Sequence, residues 1–332
     1  MASRKIDLLC VGNALVDVFA QVDWQFFTRH GLTDPVQHIE IEKLKEILSE
    51  LSSSVMVSGG GAANVAKIAS LLGAKVSFTG AIGNDKFGRL FTKSLAAAGV
   101  KLRLSKKPSP TGICLMLRDE GDGADSETRI AASPSAAIEL SESDISGKGL
   151  GKAKAILIDG YMLDKSAMVS YILQIAGRYR AVLAIDLSSP GIAGEYAAEI
   201  AGFAKQYPLI LFMNKAEAEA FREGLTSATQ ETFFENNARF PIIAVKLGQD
   251  GAVCYSEGKI TRAETQAVTP VDATGAGDAF CAGFLAAWLK NKTPGECAAF
   301  GNMTAKSVLG AEGTQADRKA LKTLKKLLKK NL

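Results

Sequence analysis

The sequence predicts an α/β protein: an α/β/α sandwich with a mostly parallel central sheet and a small antiparallel β lid. Three observations carry this. Apolar runs of strand length alternate with segments of helical period; the runs are apolar at nearly every position; and a few short stretches break the alternation with hairpin character.

Taken along the chain, the first run is Ile6 to Val11, followed by a helix over Gly61 to Leu72 and a strand over Lys75 to Ile82. Further strands are expected at Ala155 to Ile158, Val182 to Ile185, Leu209 to Met213 and Ile242 to Lys246, with a helix over Ser166 to Tyr179. Their near-continuous apolarity suits strands that helices cover on both faces. Val18 to Val22, Gly112 to Arg118 and Thr128 to Ala131, the last two joined across the turn-rich Glu120 to Asp125, read as strands of the lid, whose segments run over about 13–23 and 108–135. From Pro294 onward the chain is helical, and no internal repeat or long linker appears, so a single domain over 1–332 is expected. The last segment, KALKTLKKLLKK, sets Leu321, Leu324, Leu327 and Leu328 on one helical face with lysines opposite, as in a docked surface helix.

Composition narrows the function. With 47% hydrophobic and 22% charged residues the chain is globular rather than disordered, collagenous or coiled-coil. The formal charge of +4 arises in the C-terminal segment, where Arg318, Lys319, Lys322, Lys325, Lys326, Lys329 and Lys330 oppose only Asp317; the remainder is slightly acidic. A nucleic-acid partner is not expected from such a body. Five cysteines without a C-x-x-C pair suit a reducing cytoplasm, and no stretch approaches the ~18 apolar residues of a membrane span. The two histidines, His30 and His38, have no ligand-like neighbour and read as surface residues, which argues against Ser-His-Asp hydrolases and His-ligated zinc enzymes.

Val271 to Phe284, V-D-A-T-G-A-G-D-A-F-C-A-G-F, is the most informative stretch. Gly275, Ala276 and Gly277 precede Asp278 at the start of a helix-length apolar segment. Glycines let backbone approach a ligand, and the first helical turn leaves N–H groups unpaired, so the turn is a potential anion hole. Asp278 is then either a helix cap or a carboxylate placed to take a proton from an attacking hydroxyl. S-G-G-G-A-A-N, Ser58 to Asn64, lacks the third glycine of a dinucleotide fingerprint and reads as a hinge or a tight strand-to-helix turn. In G-N-A-L-V-D, Gly12 to Asp17, an ionised Asp17 could accept two hydroxyl hydrogens or could cap a turn. Asn214 and Glu217 share an N-x-x-E spacing after a strand, compatible with ordering waters around Mg²⁺ but weak alone. V-K-L-G-Q-D-G, Val245 to Gly251, reads as a strand and its turn, and no P-loop motif is present.

In this order the motifs resemble the ribokinase-like (PfkB) kinases over nearly the whole chain: the Gly-Gly…Asn segment with spaced glycines at Gly73 and Gly83, and D-A-T-G-A-G-D with Ala282-Gly283 behind it. The adenosine kinase branch looks closest, through G-N-A-L-V-D, N-D-K-F-G (Asn84 to Gly88), P-T-G-I-C (Pro110 to Cys114), D-L-S-S-P (Asp186 to Pro190) and N-K-A-E-A (Asn214 to Ala218). The resemblance implies Asp278 as catalytic base with Gly275, Ala276 and Gly277 as the anion hole. It implies Asn13, Asp17, Gly60, Gly61 and Asn64 as ligands of sugar hydroxyls, and Asn214, Lys246, Gly248 and Gly251 along the nucleotide. Glu217 would serve Mg²⁺ through water, ATP would be the donor, and a monovalent cation such as K⁺ could bind near the Asp272 segment. Where the branch has two aromatics, one of them stacking on the base, this chain has Tyr161 and Met162; methionine can also pack against a purine.

The expected activity is ATP-dependent phosphorylation of a primary hydroxyl on adenosine or a related ribose-bearing compound. Phosphorylation of a free sugar, or a non-catalytic nucleoside sensor on the same fold, are the alternatives. Lid strands of this kind can close a site within one subunit or pair between two, so monomer and homodimer are both open.

Overall fold

The large sheet explains why its strands read as unbroken apolar runs. The computed structural model describes residues 6–120, 127–145, 153–226, 242–266, 268, 272–310 and 317–329. Within them fourteen strands form two sheets. They are β1 (Leu8–Val11), β2 (Leu15–Val22), β3 (Val36–His38), β4 (Val55–Gly59), β5 (Val76–Gly83), β6 (Lys101–Lys107) and β7 (Thr111–Asp119). The remaining strands are β8 (Thr128–Ser135), β9 (Ala155–Asp159), β10 (Val182–Asp186), β11 (Leu209–Asn214), β12 (Ile242–Lys246), β13 (Ala252–Ser256) and β14 (Lys259–Ala263).

The larger sheet runs β14-β13-β12-β11-β10-β9-β1-β5-β6, parallel from β12 to β6 and antiparallel at the β12-β13-β14 edge. Successive side chains of a strand point to opposite faces. Leu8 and Cys10 of β1 therefore enter one core with Ala155 and Leu157 of β9, while Leu9 and Val11 enter a second core with Ile156 and Ile158. Both faces are dry, so both sets are apolar, each fully buried Leu or Ile contributing about 1.5–3 kcal/mol relative to exposure. The helices Gly61–Leu71 and Ala276–Trp288 pack on each other over the first face, and Ser166–Tyr179 covers the second.

The smaller sheet runs β3-β8-β7-β2-β4, with the β7-β8 and β2-β4 pairs antiparallel and the β2-β7 and β3-β8 pairs parallel. The turn expected across Glu120 to Asp125 lies, beyond Glu120, outside the described residues. Chain passes between the sheets at Gly12 to Ala14, at Gly60, and at Pro108 to Pro110. Asp85 secures the last crossing. It caps the helix Lys86–Ala97 by accepting from Gly88 N at 2.8 Å, and also accepts from Thr111 N at 2.7 Å and Thr111 Oγ1 at 2.8 Å.

Burial opposes the charge on Asp85, but these amides and the hydroxyl outweigh it and hold its carboxyl below the usual range. The stabilisation is therefore present above the unfolded pKa of roughly 4 and is lost as pH falls through the lower folded value. Asp85→Ala should cost about 2 kcal/mol in urea unfolding at pH 7, from the lost cap and the Thr111 bonds, with a smaller difference at acid pH. An unchanged midpoint would show that the crossing is held by other contacts.

One expectation is corrected: His30 is not a surface residue. It ends the helix Trp24–His30, four residues after the buried Phe26, and that spacing lays its ring against Phe26 at 4.4 Å between centroids. Its Nε2 lies 3.2 Å from Glu50 Oε2. His38, on β3, is exposed. The helix Arg318–Lys329 docks through Leu321, Leu324 and Leu328, with Leu327 half-buried, while Lys330 lies outside the described residues. No helix among the described residues is long and apolar enough to cross a membrane.

Candidate active site at the carboxyl ends of the strands

Four neighbouring strands of the large sheet, β9 to β12, end in Asp159, Asp186, Asn214 and Lys246. Ligands of open α/β sheets bind beyond the carboxyl ends of the strands, and a cavity of about 850 Å³ opens there against the smaller sheet.

Its floor is the start of the helix Ala276–Trp288. Gly275 is the N-cap residue, with φ of 77°, a left-handed conformation that glycine adopts without strain. Asp278 makes no capping bond; its Oδ2 accepts from Asn64 Nδ2 at 2.9 Å. The cap reading is thus replaced by a carboxylate that lines the cavity beside the unpaired amides of a helix start. Burial pushes Asp278 up to about 7, reinforced by Asp186 and opposed by the Asn64 amide, Lys246 and Lys67.

The crossings at Gly12 to Ala14 and at Gly60 reach this point. Gly60 has φ of 94°, and Asn13 O occupies the place a side chain there would take; Gly59 lies flat against the Asp17 carboxylate. A methyl group on Gly61 would come within 3.3 Å of Asp278 Oδ1. Asp17 is buried and raised to about 7 by that burial and by Asp278, with Lys67 pulling it back. Asp159 is also buried and raised to about 7 by burial and by Asp278, against bonds from the amides of Asn13 and Ala62. The structure therefore brings Asn13, Asp17, Gly60, Gly61, Asn64, Gly275, Gly277 and Asp278 to one cavity.

The cavity has two characters. Around Asp278 it is rich in hydrogen-bond acceptors: Asn13 Oδ1, Asn64 Oδ1 and Asp159 Oδ1 are buried with no partner, beside the carboxylates of Asp17 and Asp278. The same cavity is also lined by Leu15, Val36, Met116, Ile130, Ile138 and Tyr161. Val36, Ile138 and Tyr161 are 61%, 58% and 47% exposed, large apolar surfaces open to water. Met162 is not among them: it points into the second core and is fully buried, because it lies on the far side of the same short turn as Tyr161.

Toward β10 to β12, Lys246 Nζ donates to Asp186 Oδ1 at 2.8 Å. Asn214 and Glu217 form a capping box on the helix Lys215–Gly224: Asn214 Oδ1 accepts from Glu217 N at 2.8 Å, and Glu217 accepts from Asn214 N and Nδ2, each at 2.8 Å. Both also line the cavity, as do Lys246 and Gly248. Gly251 does not; its φ of 82° and the closeness of Ala263 O make it a turn glycine. Residues 269–271, just ahead of Asp272, lie outside the described residues.

Sequence reasoning missed Lys67, Asp159 and Asp186. Lys67 is the single cation on its helix, three residues after Asn64, and donates to Ser58 Oγ at 3.4 Å. Asp159 and Asp186 each close an all-apolar strand, and polarity at that end of a parallel strand was the available signal.

Residues 9–321 match the profile of the pfkB family carbohydrate kinases. The chain belongs to that family. This pfkB kinase is a phosphotransferase with a hydroxyl acceptor, and the family uses ATP, usually with a divalent metal. It is 27% identical to adenosine kinase 2 of Arabidopsis thaliana, over 92% of this chain and 94% of that protein. Among solved structures it is similar to a probable sugar kinase from Rhizobium etli CFN 42, with a TM-score of 0.84, 25% identity and coverage of 98% and 99%. It is likewise similar to the adenosine kinase of Sinorhizobium meliloti, with a TM-score of 0.82, 26% identity and coverage of 97% and 99%. Relatives thus include both nucleoside and sugar kinases.

Proposed function

We propose that this pfkB kinase transfers the terminal phosphoryl group of ATP to the primary hydroxyl of adenosine or a closely related ribonucleoside. The observation that supports this acceptor over a free sugar is the mixed lining of the cavity. Unpartnered oxygens call for a ligand rich in hydroxyl hydrogens, and the exposed Val36, Ile138 and Tyr161 in the same lining call for a flat apolar group joined to it. A ribose joined to a purine meets both demands, whereas a free sugar leaves the apolar residues wet.

In this reading Asn13, Asp17 and Asn64 hold the ribose hydroxyls, with Gly60 and Gly61 leaving room for the ring. Asp278 removes the proton from the terminal hydroxyl as its oxygen attacks the γ-phosphorus. The amides of Gly275 to Asp278 receive charge on the phosphoryl group, and Gly248 and Asn214 line the nucleotide. The smaller sheet acts as a lid turning about Gly59 and Gly60, and its closure excludes water that would otherwise take the phosphoryl group.

The residues fit a hydrated Mg²⁺. Each Glu217 oxygen makes one capping bond and keeps a lone pair, the carboxylate lines the cavity beside Lys246, and Mg²⁺ keeps several of its waters in protein sites. Glu217 and Asn214 would hold it through those waters. When bound, the ion supplies charge neutralisation to the phosphates.

The test is a panel of nucleosides and free sugars with ADP release as readout. Adenosine or a close analogue should give kcat/KM at least ~10-fold above every free sugar, since burying the apolar base contributes more than ~1.4 kcal/mol. Preference for any sugar over all nucleosides would overturn the acceptor, and no ADP release with any compound would overturn the kinase reading.

A further inference from the structure

Lys246 stands where two sources of positive potential meet. A methyl group on Gly277 would lie 3.4 Å from Lys246 Nζ, so the ammonium sits against the glycine turn that opens the helix Ala276–Trp288. Its position is imposed from behind. Asp186 Oδ1 accepts from Nζ at 2.8 Å, and Asp186 Oδ2 accepts from the thiol of Cys281 at 3.3 Å. Cys281 lies one turn beyond Asp278 on that same helix, so the ion pair is tied to the element that carries the anion hole. Both side chains are largely buried, 16% and 12% exposed, yet both line the cavity. An ammonium carries three hydrogens. Asp186 takes one, and Cys281 Sγ at 4.0 Å is a long contact, which leaves donor capacity toward the cavity.

An ion pair kept for stability alone is poorly explained at such a place, because burying two charges costs several kcal/mol that their attraction only balances. We propose that Lys246 is a catalytic residue whose ammonium donates to the phosphoryl group in transit, and that Asp186 is the positioning residue that holds it there. This rests on the phosphoryl-transfer reading above. In the step itself, the acceptor oxygen forms its bond to the γ-phosphorus while the bond from that phosphorus to the bridging oxygen of ADP breaks. The electron pair leaves on the β-phosphate, and the acceptor proton goes to Asp278. Lys246 neither gains nor loses a proton; it offsets charge on the non-bridging oxygens, a role that the helix amides share but cannot fill with a full unit of charge.

The experiment compares the parent with Lys246→Met and with the double variant Lys246→Met/Asp186→Asn, using adenosine and Mg·ATP. The double variant removes both members of the ion pair, so neither is left buried without the other, and its folding is checked by thermal unfolding. Readouts are kcat, KM for ATP, and affinity for ADP with aluminium fluoride, a mimic of the phosphoryl group in transit. Both variants should lose about 10²–10³-fold in kcat and a similar factor in affinity for the mimic, with KM for ATP moving less than ~10-fold. A double variant with kcat within ~10-fold of the parent would overturn the proposal, showing that Lys246 only neutralises Asp186; so would a loss confined to KM for ATP. A parent that transfers no phosphate to adenosine would overturn the proposed acceptor instead, and that outcome is distinct because it appears before any substitution.

Discussion

Asp278→Asn should lower kcat by about 10²–10⁴-fold while KM for the acceptor stays within a few-fold of the parent, the signature of a lost general base. Asparagine keeps the shape and can still bond Asn64, but it cannot take a proton. Turnover close to the parent's would remove Asp278 from the base role. The pH profile of the parent carries the same information. Burial first, and Asp186 second, raise Asp278 to about 7, so kcat/KM of the free enzyme should fall as pH drops through about 7.

Stability should change in the opposite sense. An acid whose folded pKa lies above its unfolded value of roughly 4 weakens the fold once the unfolded chain ionises it, and the penalty grows until pH passes the folded value. Asp278→Asn should therefore unfold at a higher temperature than the parent at pH 8, with the gain fading toward pH 4. A variant that is inactive and less stable at pH 8 would point to structural damage instead of a lost base.

Asp17→Ala should act on binding. The carboxylate is buried against the bare backbone of Gly59 and lines the acceptor-rich part of the cavity. Hydrogen bonds to a charged group contribute about 1.5–3 kcal/mol, so removing a partner of one or two ribose hydroxyls should raise KM for the nucleoside by roughly 10²–10³-fold, with kcat affected less. The parent should discriminate strongly against 2′- or 3′-deoxy analogues, and Asp17→Ala should lose that discrimination. An unchanged KM, or undiminished discrimination by the variant, would exclude Asp17 as a hydroxyl ligand. Removing Asp17 also removes a negative charge that acts on Lys67, so a readout specific to the hydroxyls is needed beside KM.

The two expectations differ in kind because of where each carboxylate sits. Asp278 stands at a helix start beside unpaired amides, where the proposed reaction would develop charge. Asp17 stands on β2, next to Cys114 of β7 in register, and belongs to the smaller sheet. In the proposed function the same residue type is thus given two jobs by two elements.

Much of the architecture could be read from local pattern. β1, β5 and β9 to β12 announce themselves as apolar runs because both of their faces are covered, and the helix Gly61–Leu71 follows a glycine cluster that ends a strand. The short or polar strands were harder. Nothing in Val-Gln-His marks β3, and β6, K-L-R-L-S-K-K, is polar because it lies at a sheet edge, where one side needs no burial. His30 was misjudged for a related reason: a polar residue at i+4 from a buried Phe is drawn under it by helical spacing, which composition does not weigh.

The candidate site shows the same division. Glycines and acids carried by extended motifs, Asp17, Asn64 and Gly275 to Asp278, are visible because backbone demands and chemistry coincide in consecutive residues. Asn214 and Glu217 were visible too, but only the folded chain shows that their spacing is that of a capping box. Asp159 and Lys67 carry no motif, Asp186 and Cys281 stand within motifs that assign them no role, and what joins the four is proximity.

By itself the sequence determined a parallel sheet covered on both faces and a glycine turn followed by Asp278, since periodicity and backbone sterics are local properties. Tertiary structure alone decided that Asp278 faces Asn64 from 214 positions away, that Lys246 meets Asp186 and Cys281 beside Gly277, and that Tyr161 lines the cavity while Met162 does not. Electrostatic coupling falls with distance in space, and chain separation says nothing about that distance until the strands have paired and the helices have docked.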